Sequence, residues 1–252
     1  MKLSLLALSL ALFALSGCAI TAHTPLTRFE SPEVQGEFLR AEGFLAYQGR
    51  NEISFTPDFT TTPPNLSNGS IEEPDHRLMA QAAVSLGRRF DLSVNGPGAR
   101  IGGKFQLTGE PAISSEQGNV PISIYGGGTL SRENQTDRDG LAGANSPERR
   151  FNLRELQFDI GLVAGLRLAP QVLIYGGPFI YWNRIRARYA PSVGAAETEE
   201  QATARVFNAN IGMEINFGTP AYARIEYAGA LTSIRSRTGG RGTYGFAFGA
   251  RF

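Results

Sequence analysis

The sequence predicts an all-β fold, an antiparallel up-and-down transmembrane barrel of about ten strands, and three observations predict it. Apolar and polar residues alternate with a period of two over stretches such as 151–168, 202–217 and 240–252. The stretches are separated in turn by tight turns and by long polar loops, and the last of them is aromatic and ends on Phe252. A period of two places alternate side chains on opposite faces of a strand. Soluble strands usually stop after about 5–6 residues, whereas crossing a bilayer at a tilt takes roughly 9–11 with further length projecting beyond it. Segments such as 151–168 and 171–188 are long enough for the second case.

The elements follow in order. Residues 1–17 carry a basic start at Lys2, an apolar run from Leu3 to Leu15 and the small pair Ser16 and Gly17. That order is a secretory signal peptide, too short to span a membrane. Leu15-Ser16-Gly17-Cys18 resembles the bacterial lipobox. The resemblance implies that the Cys18 thiol takes a diacylglycerol, that the leader is cut before it, and that the new amino terminus is acylated. The modification would consume the single cysteine of the chain, which can form no internal disulfide. Each buried acyl methylene contributes about 0.8 kcal/mol, so several chains together hold an N-terminus in a membrane. Ala19 stands where inner-membrane lipoproteins tend to carry aspartate, which implies passage to the outer membrane.

Residues 18–35, irregular and polar with Pro25 and Pro32, read as a lipidated tether, and 36–252 as the barrel. Strands are expected at 36–48, 77–86, 89–95, 99–107, 120–132, 151–168, 171–188, 202–217, 220–235 and 240–252. "LGRR" at 86–89, "AP" at 169–170 and "GTP" at 218–220 are tight turns, and 49–76, 133–150 and 189–201 are long loops. Short periplasmic turns alternating with long outer loops is the outer-membrane pattern. Only "NGPG" separates 89–95 from 99–107, so one bent strand there would make the count eight. An even count returns the C-terminus to the side of the tether, as an anchor in the periplasmic leaflet requires. The last strand resembles the signal by which bacterial outer-membrane proteins are recognised. It implies the barrel-assembly machinery as a partner through Phe252, beside the outer-membrane lipids.

Alternation assigns Arg40, Glu42, Lys104, Glu155, Asp159, Arg167, Arg184, Arg186, Glu214, Arg224, Glu226 and Arg251 to the lumen. Pairing 217 with 221 across the "GTP" turn sets Glu214 opposite Arg224, because an antiparallel ladder keeps a constant index sum. Opposite charges so placed stabilise by about 0.2–1 kcal/mol. With Glu226 and Arg251 nearby, and Arg167, Glu155 and Asp159 on the same inner face, these residues form a lumen charge network. It serves either as a plug of ion pairs or as a selectivity ring or ligand site.

Losing Lys2 with the leader leaves 23 basic residues of the original 24 against 23 acidic ones, so no general attraction to nucleic acid follows. His23 falls in the tether and His76 in the first long loop, and neither forms the His–Ser pair of membrane-barrel hydrolases, so no enzyme is expected. The acidic pieces at 71–75 and 197–200 lack the spacing of a Ca²⁺ loop, and no metal or cofactor is expected. Gly126–Gly128 precede no helix and read as close-packing positions rather than a phosphate cradle. Trp182, with Tyr181 and Tyr189, belongs either to an aromatic interface belt or to the lumen filling. Arg184, Arg186 and Arg188 share its parity, as a stripe that contacts lipopolysaccharide phosphates or lines a vestibule. The expected function is a lipid-anchored structural or narrow-channel barrel of the cell outer membrane. A surface adhesin or partner-binding barrel acting through loops 49–76 and 133–150 is the alternative, as is a non-inserted periplasmic β-sandwich hung from Cys18.

Overall fold

The computed structural model describes residues 20–55, 57–58, 65–66, 70–96, 99–137, 149–189, 198–218, 220–231 and 242–252. Cys18 and the central parts of the loops at 49–76, 133–150 and 189–201 lie outside the described residues. In chain order the strands are β1 (Ile20–Pro25), β2 (Ala41–Phe55), β3 (Pro57–Asp58), β4 (Asn65–Leu66), β5 (Ser70–Gly87), β6 (Phe90–Gly96) and β7 (Arg100–Thr108). They continue as β8 (Ile122–Asp137), β9 (Arg149–Ala169), β10 (Val172–Tyr189), β11 (Thr198–Asn216), β12 (Ala221–Ala230) and β13 (Thr243–Arg251).

Among the described residues, β2 and β5 to β13 each pair antiparallel with their neighbours, and β13 returns to β2, so ten strands close into a cylinder. Closure leaves no free edge in the wall, and it excludes two stacked sheets. β6 and β7 are separate strands, with Phe90 opposite Phe105 and Asn95 opposite Arg100, so the count is ten rather than eight. Among the described residues, the short strands β3 and β4 pair only with each other.

The two faces of the wall follow the alternation. On β9, Asp159, Val163 and Arg167 are buried inside while Phe158, Ile160, Leu162, Leu166 and Leu168 stand exposed outside. The ten steps from Phe158 to Leu168, at about 3.3 Å each and a tilt of about 40°, cover roughly 25 Å along the barrel axis, the height of a lipid-facing band.

Several strands run well past this band. Ser54 pairs with Ser70 and Arg50 with Asp75, inside what the sequence reads as loop 49–76. Arg50 and Asp75 are ion-paired there. Above the band both faces of a strand can meet water, so alternation fades and polar strand reads as loop. The tight turns gather at the opposite end with Phe252. One long connection, 109–121, joins them there, where Gly118 N–H donates to the Arg167 carbonyl at 2.8 Å and Ala112 N–H to that of Val34 at 2.8 Å.

The largest departure from expectation is the tether. β1 runs antiparallel to the outer half of β2, Ile20 opposite Phe55 and Pro25 opposite Arg50, beyond the stretch of β2 that β13 covers. The described residues therefore begin at the long-loop end. The chain then passes down through the cylinder, and every residue from Leu26 to Gln35 is buried. It emerges at the tight-turn end, where Phe38 and Leu39 are exposed, and enters β2. A ten-strand wall is wider than the eight-strand kind that side chains alone fill. Here the N-terminal segment takes up the extra room.

Candidate functional site: a lumen filled by the N-terminal segment

The wall makes space for the segment with its smallest residues. A Cβ at Gly245 of β13 would lie 2.6 Å from the Phe29 ring and 2.7 Å from Thr27 Oγ1, and one at Gly165 of β9 would lie 2.7 Å from Pro32 Cγ. The Phe29 ring packs edge-on against Phe44 at 6.0 Å. Leu26, Phe29 and Val34 are fully buried, each contributing about 1.5–3 kcal/mol relative to exposure.

Polar atoms of the segment are met along its length. Leu26 and Thr27 N–H both donate to the Gly49 carbonyl, at 2.9 and 3.1 Å. Glu226 of β12 accepts from the Arg28 and Phe29 N–H groups, the second at 2.9 Å. Arg224 Nη1 donates to the Phe29 carbonyl at 2.9 Å. Lys104 Nζ donates to the Ser31 and Glu33 carbonyls, each at 3.0 Å. Val34 N–H donates to Gln106 at 2.9 Å, and Gln35 N–H to Asp91 Oδ2 at 3.1 Å. Such a buried strap is tolerable only because these groups have partners.

The charges of the segment fit those of the wall. Arg28 pairs with Asp159, which also accepts from Arg100 at 2.7 and 2.8 Å. Arg100 lies 3.7 Å from Glu30. Glu33 accepts from Arg167 Nε at 3.0 Å and from Asn119 at 3.0 Å. Toward the tight-turn end the wall pairs with itself. Glu214 stands opposite Arg224 in the β11–β12 ladder and accepts from Arg224 Nε and Arg251 Nη2, both at 2.8 Å. Glu42 is ion-paired with Arg224 at 2.6 Å and accepts from the Tyr222 hydroxyl at 2.6 Å.

Glu214, Arg224, Arg251 and Arg167 thus come together, with Arg167 Nη2 4.0 Å from Glu214. Glu226 does not join them, because its carboxylate is turned to the backbone of the segment and to the Tyr175 hydroxyl at 3.3 Å. Asp159 sits with Arg28 and Arg100, and Glu155 meets Asn183 higher up the same face. Sequence reasoning missed Arg28, Glu30 and Glu33, since they lie in the segment read as tether.

Two lumen assignments are corrected. Arg184 and Arg186 point outward, because β10 buries Leu173, Tyr175, Phe179, Tyr181 and Ile185 on its inner face. Both faces of that strand carry apolar residues, so its parity is not readable from the pattern. Trp182 consequently stands on the outer face, half-buried. His76 lies in β5 rather than a loop, stacked on Tyr47 at 4.8 Å with Nε2 3.2 Å from Thr243 Oγ1.

Among the described residues no group of three metal-type ligands gathers. Beside the segment, between Glu30, Asp91, Lys104 and Arg224, a cavity of about 10 Å³ remains. That is room for about one water.

A closed antiparallel wall with an apolar outer band and a polar lumen defines the class of transmembrane β-barrels. No protein-family model matches the chain, and no curated protein matches it. Among solved structures it is similar to Ail, the attachment invasion locus protein of Yersinia pestis, at 10% identity and a TM-score of 0.34, over 86% of this chain and 100% of that one. It is also similar to OmpT, an outer membrane protein of Vibrio cholerae, at 10% identity and a TM-score of 0.18, over 93% of this chain and 94% of the other. The fold assignment rests on the strand order, not on these likenesses.

Proposed function

We propose that the protein is an outer-membrane barrel of the structural type, non-enzymatic and closed by its own residues 26–35, rather than an open channel. The observation that carries this reading is the burial of the whole segment, with its charges matched by Asp159, Arg100 and Arg167 of the wall. The wall charges that a pore would offer to a permeating ion are held by the segment or by one another instead.

The lipobox reading takes a new form here. Cys18 precedes Ile20 by two residues, which span at most about 7 Å. Ile20 sits opposite Phe55 at the long-loop end, so an anchor on Cys18 would act from the outer side of the membrane rather than the periplasmic one. Lipid and segment would then fix the N-terminus from both sides of the barrel mouth.

Planar-bilayer recording tests the closed-lumen reading. The full chain is expected to leave the membrane silent at all voltages, and a chain lacking 20–35 to give discrete conductance steps. Steady single-channel steps from the full chain would overturn it. Mass spectrometry of the mature protein tests the anchor: an acyl mass lost in Cys18→Ser supports it, and an unmodified thiol contradicts it.

A further inference from the structure

Arginines of β9, β10 and β11 gather on the outer face of the wall. Arg154 and Arg186 are directly opposite in the β9–β10 ladder, Arg184 is opposite Leu156 and Arg188 opposite Asn152. Arg205 of β11 is opposite Trp182. Like charges directly opposed across strands repel each other. Arg188 has Glu199 at 2.7 Å and Arg184 donates to Gln201 at 2.6 Å. Arg154 and Arg186, both exposed, have no carboxylate within 4 Å among the described residues. These two, with Arg188 and Glu199, line an open cleft on the outer wall.

Position decides what could fill that cleft. Phe158 and Trp182 are cross-strand partners at the top of the apolar band, and the Arg154–Arg186 pair lies four residues further along both strands toward the long-loop end. A continuous sheet surface is apolar below that level and cationic above it. That is the order of groups in an outer-leaflet lipid, acyl chains first and phosphates above them.

We infer that Arg154, Arg186 and Arg188 bind the phosphate groups of outer-leaflet lipopolysaccharide, with the lipid's acyl chains against Phe158, Ile180 and Trp182. Guanidinium groups suit this ligand because their planar forks donate bidentately to phosphate oxygens. An anion between Arg154 and Arg186 also offsets the part of their repulsion that Glu199, bonded to Arg188, leaves in place. The site rests on the outer-membrane reading above.

The test uses the full chain refolded into phosphatidylcholine vesicles, then titrated with lipopolysaccharide or with the same lipopolysaccharide stripped of its phosphates. Retained heat-modifiable migration and resistance to carbonate extraction report insertion. The expected result is saturable binding of the intact lipid, about tenfold weaker for Arg154→Ser/Arg186→Ser and for the stripped lipid, with both proteins equally inserted. Equal binding of intact and stripped lipid by an inserted protein would overturn the site alone. Binding unchanged in the double variant would do the same, and inorganic phosphate competing at low millimolar concentration would assign the cleft to free phosphate. A chain that never inserts would overturn the membrane reading and the site together.

Discussion

The arginines inside the cylinder and those outside it have the same chemistry and opposite surroundings. Arg100, Arg167, Arg224 and Arg251 each lie within 3 Å of a carboxylate oxygen, and Arg28 is paired with Asp159. Arg154 and Arg186 face each other without an ion pair of their own among the described residues, in a cleft whose carboxylate, Glu199, is bonded to Arg188. The inner set is neutralised by the protein itself, so its role is to hold the segment and the wall together. The outer set is left unbalanced, so its role requires something the chain does not supply. Burial sets the difference in cost: an unpaired charge in the lumen is severely destabilising, while one at a hydrated rim costs little.

That contrast can be broken most sharply at Glu214. Replacing it by alanine leaves Arg224 and Arg251 to share the single carboxylate of Glu42 and is expected to cost about 3 kcal/mol, read as a lower urea midpoint in vesicles. Phe29→Ala empties the packing against Phe44 and is expected to cost about 3 kcal/mol by the same measurement, although it touches no charge. Glu33→Gln keeps one acceptor for Arg167 and Asn119 but removes the ionic pairing, for a loss of about 2 kcal/mol. At the small end, Arg154→Ser in phosphatidylcholine is expected to shift stability by no more than about 0.5 kcal/mol. A loss as large as that of Glu214→Ala would show that the outer arginines are structural too, and would erase the distinction.

Much of the wall was legible because lipid imposes a strict period of two. The faces of 151–168 and the pairing of Glu214 with Arg224 follow from alternation and a constant index sum alone. β10 was not legible in parity, since Phe179 and Tyr181 face inward while Ile180 and Trp182 face out, and nothing in the pattern separates them. The segment 26–35 was invisible for a different reason. It is surrounded on all sides by wall, so neither a period of two nor one of 3.6 constrains it, and its mixture of Phe29, Arg28 and Glu33 resembles a loop. A signal was present elsewhere: inward glycines such as Gly165 and Gly245 leave a ten-strand lumen underfilled, and something had to occupy it.

The location of Ser31, fully buried at the middle of the segment, is the most direct test of the central claim. In a Cys18→Ser background, the Ser31→Cys thiol of the folded barrel is predicted to resist a bulky maleimide added to both sides of the membrane, and to react within minutes once urea unfolds the chain. Complete modification of the folded, inserted protein would contradict the account, because it would place residue 31 in water and leave the cylinder without its filling.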